Sequence, residues 1–507
     1  MKRKNNKSRN QAATQAAPVA PDLSRSFVGA ALNRLTADMG GSYSINQDIK
    51  QDLPQLRARS RDAALNNTYV RRFIELMHSN VVGPDGVSLS VQGLDITPRK
   101  GQQPEEVYDP ISASIEKQFW RWAKPENCTV RGNFEWTKVQ ELVMEAVVTD
   151  GETLVWMRRG AGFGPFNFQL QLIEADHLDH NYNDTLPNGH RIVQGVEINE
   201  FARPVAYWIW KDIPADFGLT TGFASDRIRV DASELLHIYN PDRPSQVRGY
   251  PWVAPALLPL NHIDKFRDSV LVNARIASDR QVYFTQAAGA TFTGQAPNSQ
   301  VVEIRSGPGK QAILPTGIEV KQLDWQQPTT TFDDFQKSIL RGVAAALGVS
   351  YNSLASDYES VSYSSARYAA SQDQDYFKSC QKWFIQAFIR PVFEKWLETQ
   401  MLTNGWGLNI GIDKFTKFSN VNYRPRAFGT VDPVKEVTSE IAALGAGLTS
   451  WTAEIEKRGG DPEAVFKQIA KDKKLMEEAG ITPSLLLNQG LLQAQIAAES
   501  QNRPSNN

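Results

Sequence analysis

The chain has 507 residues, 41% of them hydrophobic and 22% charged, which excludes a disordered, collagenous or disulfide-stapled protein and allows about two to four domains. Its 55 Lys and Arg balance 56 Asp and Glu, so it lacks the basic surplus through which proteins grip nucleic acid by many phosphate contacts. No apolar run approaches the roughly 20 residues that cross a bilayer, the longest, Ile441 to Leu448, being interrupted by two glycines.

Taken in order, residues 1–25 read as a disordered basic arm with Lys2, Arg3, Lys4, Lys7 and Arg9. The polar, alanine-rich segment behind them has no h-region, so export is not expected. Cys128 and Cys380 are the only cysteines and form no CxxC, which fits a reducing compartment and indicates neither disulfide nor zinc. Leu65, Tyr69, Phe73 and Met77 recur every four residues and predict one amphipathic helix ending near Val82-Gly83-Pro84. Its arginines suit either phosphate contact or, more plainly, a solvated face or inter-subunit salt bridges. Helices follow around Ile115, Phe119 and Trp122 and around Trp136 to Val147; strands are expected at 153–159, 168–173, 192–198 and 205–210. Residues 26–250 thus form an α+β region.

From Pro255 to about Arg280 no glycine intervenes. Ile263, Phe266, Val270, Ala274 and Ala277 make a seam narrow enough to suit packing against one or two neighbouring helices. Short β-like runs are expected at 301–305, 311–314 and 318–323. A second helix starts after Thr331, a plausible N-cap with Asp334 three residues on, and stops at Gly348. The pair reads as a hairpin-like stalk with a β tip. A polar stretch, Tyr351 to Ser365, leads to a helix with an aromatic stripe that reads as core and that Pro391 must kink or restart. Short helices are expected over 430–490, one opening Asp461-Pro462-Glu463, and a polar tail after that.

No catalytic constellation emerges. Gly307-Pro308-Gly309-Lys310 lacks the first glycine of a Walker loop and the following Ser or Thr, and reads as a hairpin turn. Gly160, Gly162 and Gly164 likewise make a turn. Asp176, His177, Asp179 and His180 are the only cluster of metal-ligand types; without an HExxH pattern they read as a surface loop. There is no GxSxG elbow, and the carboxylates fall into no defensible general acid–base pair.

Several runs together resemble the lambda-type portal proteins of tailed bacteriophages. They are Arg57 to Tyr69 (RARSRDAALNNTY), Asp150-Gly151-Glu152, Arg243 to Trp252 (RPSQVRGYPW), Ala345 to Ser350 (AALGVS), Tyr363 to Arg367 (YSSAR), Arg390-Pro391, Asp432 to Glu436 (DPVKE) and Arg458 to Glu463 (RGGDPE). Their order and spacing over about residues 27–480 carry the resemblance, although Ser362 and Phe428-Gly429 depart from the family's usual residues. The resemblance implies a mainly helical α+β ring-forming fold with wing, two-helix stem, β clip and helical crown. Residues 26–250 and 350–429 would form the wing with the channel loop, 251–280 and 331–349 the stem, 281–330 the clip, 430–490 the crown and 491–507 a disordered tail. It further implies a homo-oligomeric ring, usually a dodecamer, at the capsid vertex of the virion, assembled in the host cytoplasm and away from membranes. Double-stranded DNA would pass through the channel, and the terminase large subunit, the major capsid protein and head–tail adaptor proteins would be its partners.

No cofactor, metal or catalytic residue is implied. Channel-lining candidates are Asp357, Tyr358, Glu359, Ser362, Tyr363 and Arg367, with Asp264 and Asp268 on the first stem helix. Arg305 and Lys310 are candidates for the docking face of the clip. A near-neutral or acidic bore would let DNA slide, whereas a basic one would hold it. The rival readings are a nucleotide-binding enzyme using Gly307 to Lys310, and a capsid component that makes shells rather than rings.

Overall fold

The computed structural model describes residues 44–91, 110–211, 226–278, 282–286, 318–322, 329–359, 361–403, 410–429, 433–460 and 462–478. The chain divides into Met1–Ser44 and Ile45–Asn507, and all the helices and strands named below belong to the second unit. The basic arm, the tail after 478, the Gly307–Lys310 turn, and the expected strands at 301–305 and 311–314 lie outside the described residues.

The single helix expected before Gly83 is two helices, α1 (Ile45–Asn66) and α2 (Thr68–Met77), followed by a π turn, His78–Val82. The break is chemical. Asn67 leaves the helical region (φ −99°, ψ 122°) and its Oδ1 accepts from the backbone N–H groups of Tyr69 and Val70, an N-cap that starts α2 afresh. The restart shifts the phase of the stripe, so Leu65 is 84% exposed while Phe73 and Met77 are buried.

A short strand β1 (Ser88–Val91) pairs with β12 (Val421–Arg424) far along the chain. Then come α3 (Pro110–Trp122), the one-turn α4 (Pro125–Cys128) and α5 (Trp136–Asp150). Strands β2 (Glu152–Arg159), β3 (Phe168–Ile173) and β9 (Leu235–Tyr239) form an antiparallel sheet with β2 central. Between β3 and β9 lies an antiparallel five-stranded sheet: β4 (Asp184–Thr185), β5 (Arg191–Val193), β6 (Val196–Ile198), β7 (Pro204–Trp210) and β8 (Arg227–Asp231). The run 192–198, expected as one strand, folds back on itself, because Gln194 (φ 50°) and Gly195 (φ 83°) make the two-residue turn of a tight hairpin.

The 25-residue α6 (Ala254–Ser278) and α7 (Thr329–Leu347) pack side by side, Phe266 of α6 meeting Phe332 and Phe335 of α7 at ring separations of 5.5 and 5.3 Å. Between them β10 (Val282–Gln286) pairs antiparallel with β11 (Ile318–Gln322). After α8 (Tyr351–Ala355), α9 (Tyr363–Phe384) passes through a π turn, Ile385–Ile389, into α10 (Arg390–Thr403). That turn ends immediately before Arg390-Pro391, and the missing N–H of Pro391 cannot continue the ladder. The one-turn α11 (Phe415–Phe418) precedes β12, and α12 (Pro433–Gly445), α13 (Trp451–Lys457) and α14 (Pro462–Glu478) come after it.

The main core is aromatic, as the stripe implied. Phe119 lies 5.2, 6.1, 5.4 and 5.2 Å from Trp122, Trp136, Phe393 and Trp396, and all five rings are buried. Truncating one of them would cost about 3–5 kcal/mol. Strand β2 is a shared wall: Val155 and Met157 face this core, while Leu154 faces a second one with Val196, Tyr207, Ile209 and Val230 of the five-stranded sheet.

Candidate functional site

The junction of α2 with the two long helices is built from polar contacts. Asn67 spends its oxygen capping α2, and its Nδ2 donates to Asp264 of α6 at 2.8 Å. One turn on, Arg267 donates to the Tyr69 hydroxyl at 2.7 Å and to Gln336 of α7 at 3.1 Å. Asp264 is therefore half-buried and occupied, whereas Asp268 is exposed.

The polar stretch after α7 is short and pinned at both ends. Gly348 (φ 74°) ends α7, and a side chain there would come within 2.9 Å of the Tyr376 ring. Ser350 caps α8, and Asp373 of α9 ties the cap down by accepting from Ser350 N, Ser350 Oγ and Ser353 Oγ at 2.7, 2.7 and 2.6 Å. Asp357 accepts from the Tyr351 hydroxyl at 2.8 Å and from Glu359 N–H at 3.1 Å, with Lys337 of α7 at 3.8 Å. The Tyr351 bond, ahead of the Glu359 amide and the lysine, holds this carboxyl below its ordinary range. Ser362 caps α9 by accepting from Ser365 N–H at 3.2 Å. Tyr358, Glu359, Tyr363 and Arg367 are exposed, Tyr358 and Tyr363 by 62% and 56%. The structure thus brings Asp357, Tyr358, Glu359, Ser362, Tyr363 and Arg367 onto one capped segment beside α7, and sets Asp264 and Asp268 on α6. Arg305 and Lys310 lie outside the described residues.

A basic residue of α7 that faces this segment is paired: Lys337 bridges Asp333 at 2.8 Å and Asp357 at 3.8 Å. Such a surface offers a phosphate backbone no continuous basic track. Among the described residues no three or more His, Cys, Asp or Glu converge as metal ligands, and no helix is long and apolar enough to cross a membrane.

Sequence reasoning missed the element that orders this half of the fold. Glu152, the first residue of β2, is fully buried. Its Oε1 accepts from Arg57 of α1 and from Arg248 Nε at 2.7 Å and Nη2 at 2.5 Å; its Oε2 accepts from Gly249 N–H at 2.7 Å and lies 2.9 Å from His237 Nε2. Burial alone would push this carboxyl up, but the Arg248 and Arg57 guanidiniums and His237 override it and hold it well below the ordinary range. Burial lowers the pKa of His237 against the pull of the Glu152 carboxylate. Arg61 continues the network to Asp150 (2.7 Å) and Asp176 (2.5 Å), which raises its own pKa further. The basic residues Arg57 and Arg61 of α1 are consequently occupied within the chain rather than displayed. The 176–180 stretch is not a simple solvated loop either: Asp176 pairs with Arg61, Asp179 takes Arg227 at 2.8 Å, and His177 Nδ1 lies 2.8 Å from the carbonyl of Trp210.

Three stretches that the network joins, around Arg57, at Asp150 to Glu152 and around Arg248, are among those that carry the sequence resemblance. Residues 33–381 match the phage portal protein, lambda family. The chain belongs to the lambda family of phage portal proteins. It is 31% identical over 473 residues to a probable portal protein of Halomonas phage phiHAP-1, covering 91% of this portal chain and 88% of that one. It is 22% identical over 482 residues to portal protein B of Escherichia phage lambda, covering 87% of each. Among solved structures, the neck of an empty gene transfer agent particle aligns with 81% of this chain and 94% of its own, at 14% identity and a TM-score of 0.43. The portal is a structural component of the virion at the capsid vertex, and its fold is mainly helical α+β.

Proposed function

We propose that copies of this chain close into a ring, of twelve in the virion, whose axial bore passes double-stranded DNA during packaging and ejection. The terminase large subunit would dock during packaging, the major capsid protein would surround the ring, and head–tail adaptor proteins would bind it later. ATP hydrolysis then belongs to the terminase. In this reading 26–250 and 350–429 are the wing with the channel loop, 251–280 and 331–349 the stem, 281–330 the clip and 430–490 the crown. Arg305 and Lys310 belong to the docking face of the clip. Assembly takes place in the host cytoplasm.

The observation that carries the reading is the helix pair. α6 would be about 37 Å long at 1.5 Å per residue, and α7 covers only one side of it. Leu258, Leu271 and Val272 of α6 are 64%, 57% and 49% exposed and Phe335 of α7 is 51% exposed. A lone chain gains nothing by leaving four large apolar side chains in water, whereas a neighbouring pair in a ring would cover them.

Charge supports the remainder. DNA carries about one negative charge per 1.7 Å of axis, so a basic wall would have to be released at every step. A bore faced by Asp268, Asp357 and Glu359, with Asp264 behind them and Tyr358, Ser362, Tyr363 and Arg367 as scattered contacts, lets the duplex slide.

Electron microscopy of the purified full chain tests the proposal. Rings with a central hole wide enough for duplex DNA are expected. Isolated compact particles, closed shells, or a bore of strongly positive potential throughout would overturn it. An ATPase of the purified chain that is lost in Lys310→Ala would favour the enzyme instead.

A further inference from the structure

A cavity of about 400 Å³ opens where the start of α6, the end of α7 and the middle of α9 meet. Its walls include Tyr250 and Trp252 before α6 and Tyr376 and Trp383 on α9. The two tryptophan rings stand 5.5 Å apart at 55°, an angled corner rather than a stack. At the edge Asp242 accepts from the Tyr250 hydroxyl. The floor is the last turn of α7, Ala345 to Gly348. The N–H groups of Gly348 and Val349 close on the carbonyls of Ala345 and Ala344, and Ala346 and Leu347, the last residues of α7, line the cavity.

Three independent features here select one kind of charge. Ring faces attract a cation, most strongly when they are indole. The C-terminal end of a 19-residue helix carries the negative end of its dipole. Asp242 adds a full negative charge, and no Lys, Arg or His is among the residues that line the cavity. The walls also select against a hydrated metal ion, which keeps its waters and would gain little from aromatic surface. What matches is an ammonium group on an alkyl stem, the stem lying on the rings and the head at the carbonyl end of α7.

We propose that this cavity is a binding site for linear alkylamines, the free polyamine class. The assignment stands on the cavity alone and needs neither the ring nor the channel.

The test is calorimetric titration of the full chain, in its purified assembled state, with spermidine in low-salt buffer. One saturable site per chain is expected, with magnesium at matched total charge unable to displace the amine. Asp242→Asn, at an exposed position, is expected to weaken binding about fivefold, and Trp383→Leu tenfold or more. Ala346→Lys, also at an exposed position, places a tethered ammonium in the cavity and is expected to abolish spermidine binding while leaving the thermal melt unchanged. Absence of saturable binding would overturn the site, as would equal displacement by magnesium. Unchanged affinity in both Asp242→Asn and Ala346→Lys would overturn it too, whatever becomes of the tryptophan variant's folding.

Discussion

The guanidinium of Arg248 lies against the carboxylate of Glu152 with both side chains wholly removed from water, Nε to Oε1 at 2.7 Å. Arg57 shares the same oxygen from α1. One carboxylate thus faces two buried guanidiniums, one from α1 and one from the segment before α6, with Asp176 as a second, longer partner of Arg57 at 3.5 Å. Replacing it isosterically with Gln keeps the shape, strands the charge of Arg248 and leaves Arg57 only Asp176 at 3.5 Å. Breaking a buried pair in this way costs about 3–5 kcal/mol. Glu152→Gln is therefore expected to lower the denaturation midpoint severely or to abolish soluble protein. A melt indistinguishable from the parent's would show that the pair does not hold the fold.

The turn before Glu152 is as constrained. Gly151 has φ +85°, and a side chain there would lie 2.1 Å from the backbone carbon of Tyr250; one on Gly249 would lie 2.1 Å from the Gly151 carbonyl oxygen. Two glycines pass back to back because nothing larger fits. Gly151→Ala is expected to cost more than about 3 kcal/mol, the scale of an overpacked core. Gly160→Ala, with φ +120° and nothing within 4 Å, is expected to cost only the backbone strain, about 1–3 kcal/mol. Paired urea titrations compare the two directly, and equal losses would contradict the steric account.

Glu197, on β6, supplies a dependence on pH. Arg229 donates to it at 2.8 and 3.1 Å, ahead of His190 at 2.9 Å and the Trp208 indole at 3.2 Å, and its pKa is lowered from 4.5 to about 2. The folded-state value is depressed, so the stabilisation is fully present above about pH 4.5 and is lost as pH falls toward 2. With Arg229 partly solvated, about 2 kcal/mol is a fair scale. Melts of the parent and of Glu197→Gln should be separated at neutral pH and converge between about pH 4.5 and 2. A constant separation across that range would mean that the carboxylate charge is not what matters.

The two caps of the segment after α7 differ in their support. Ser350 is bound to Asp373 as well as capping α8, whereas the hydroxyl of Ser362 meets only its own turn. Losing a serine cap costs about 1 kcal/mol. Ser350→Ala should therefore raise hydrogen exchange over 350–359 more than Ser362→Ala raises it over 363–367. The reverse order would relocate the anchor of the segment.

Both thiols should be silent. Cys128 is fully buried and burial pushes its thiol far up; burial likewise raises Cys380, to about 11, against the Tyr376 bond that lowers it. A thiol reagent in mildly alkaline buffer should find no reactive group in the native chain and both cysteines in urea. Rapid native labelling of Cys380 would mean that the α7–α9 contact opens.

Elements with strong periodicity were legible in advance. The long helix expected from 255 to 280 spans Ala254–Ser278, and the one expected after a cap at Thr331 spans Thr329–Leu347, so Thr331 lies inside the helix rather than capping it. The aromatic stripe of α9 and α10 is core, as read. What local pattern could not show was pairing at a distance. β1 and β12 are each four residues long and meet across more than 300 positions, and β8 and β9 offered no clean alternation. Arg57 sits on the buried stripe of α1 at a place where an apolar residue would keep the period. That charge on a core-facing position was the signal for the Glu152 network, and it becomes readable only when its partner, 95 positions away, is known. The channel candidates were found by family resemblance rather than by spacing, since a capped polar loop looks locally like any other.

Asn67 works with both ends of its amide. Its oxygen starts α2 and its amide nitrogen donates to Asp264, so the middle of α6 and the first turn of α2 behave as one lever with a common fulcrum. A tilt of the long helix away from α2 must either drag that helix with it or unwind its first turn, so the rod cannot move without disturbing the helix that carries Phe73 and Met77 into the core.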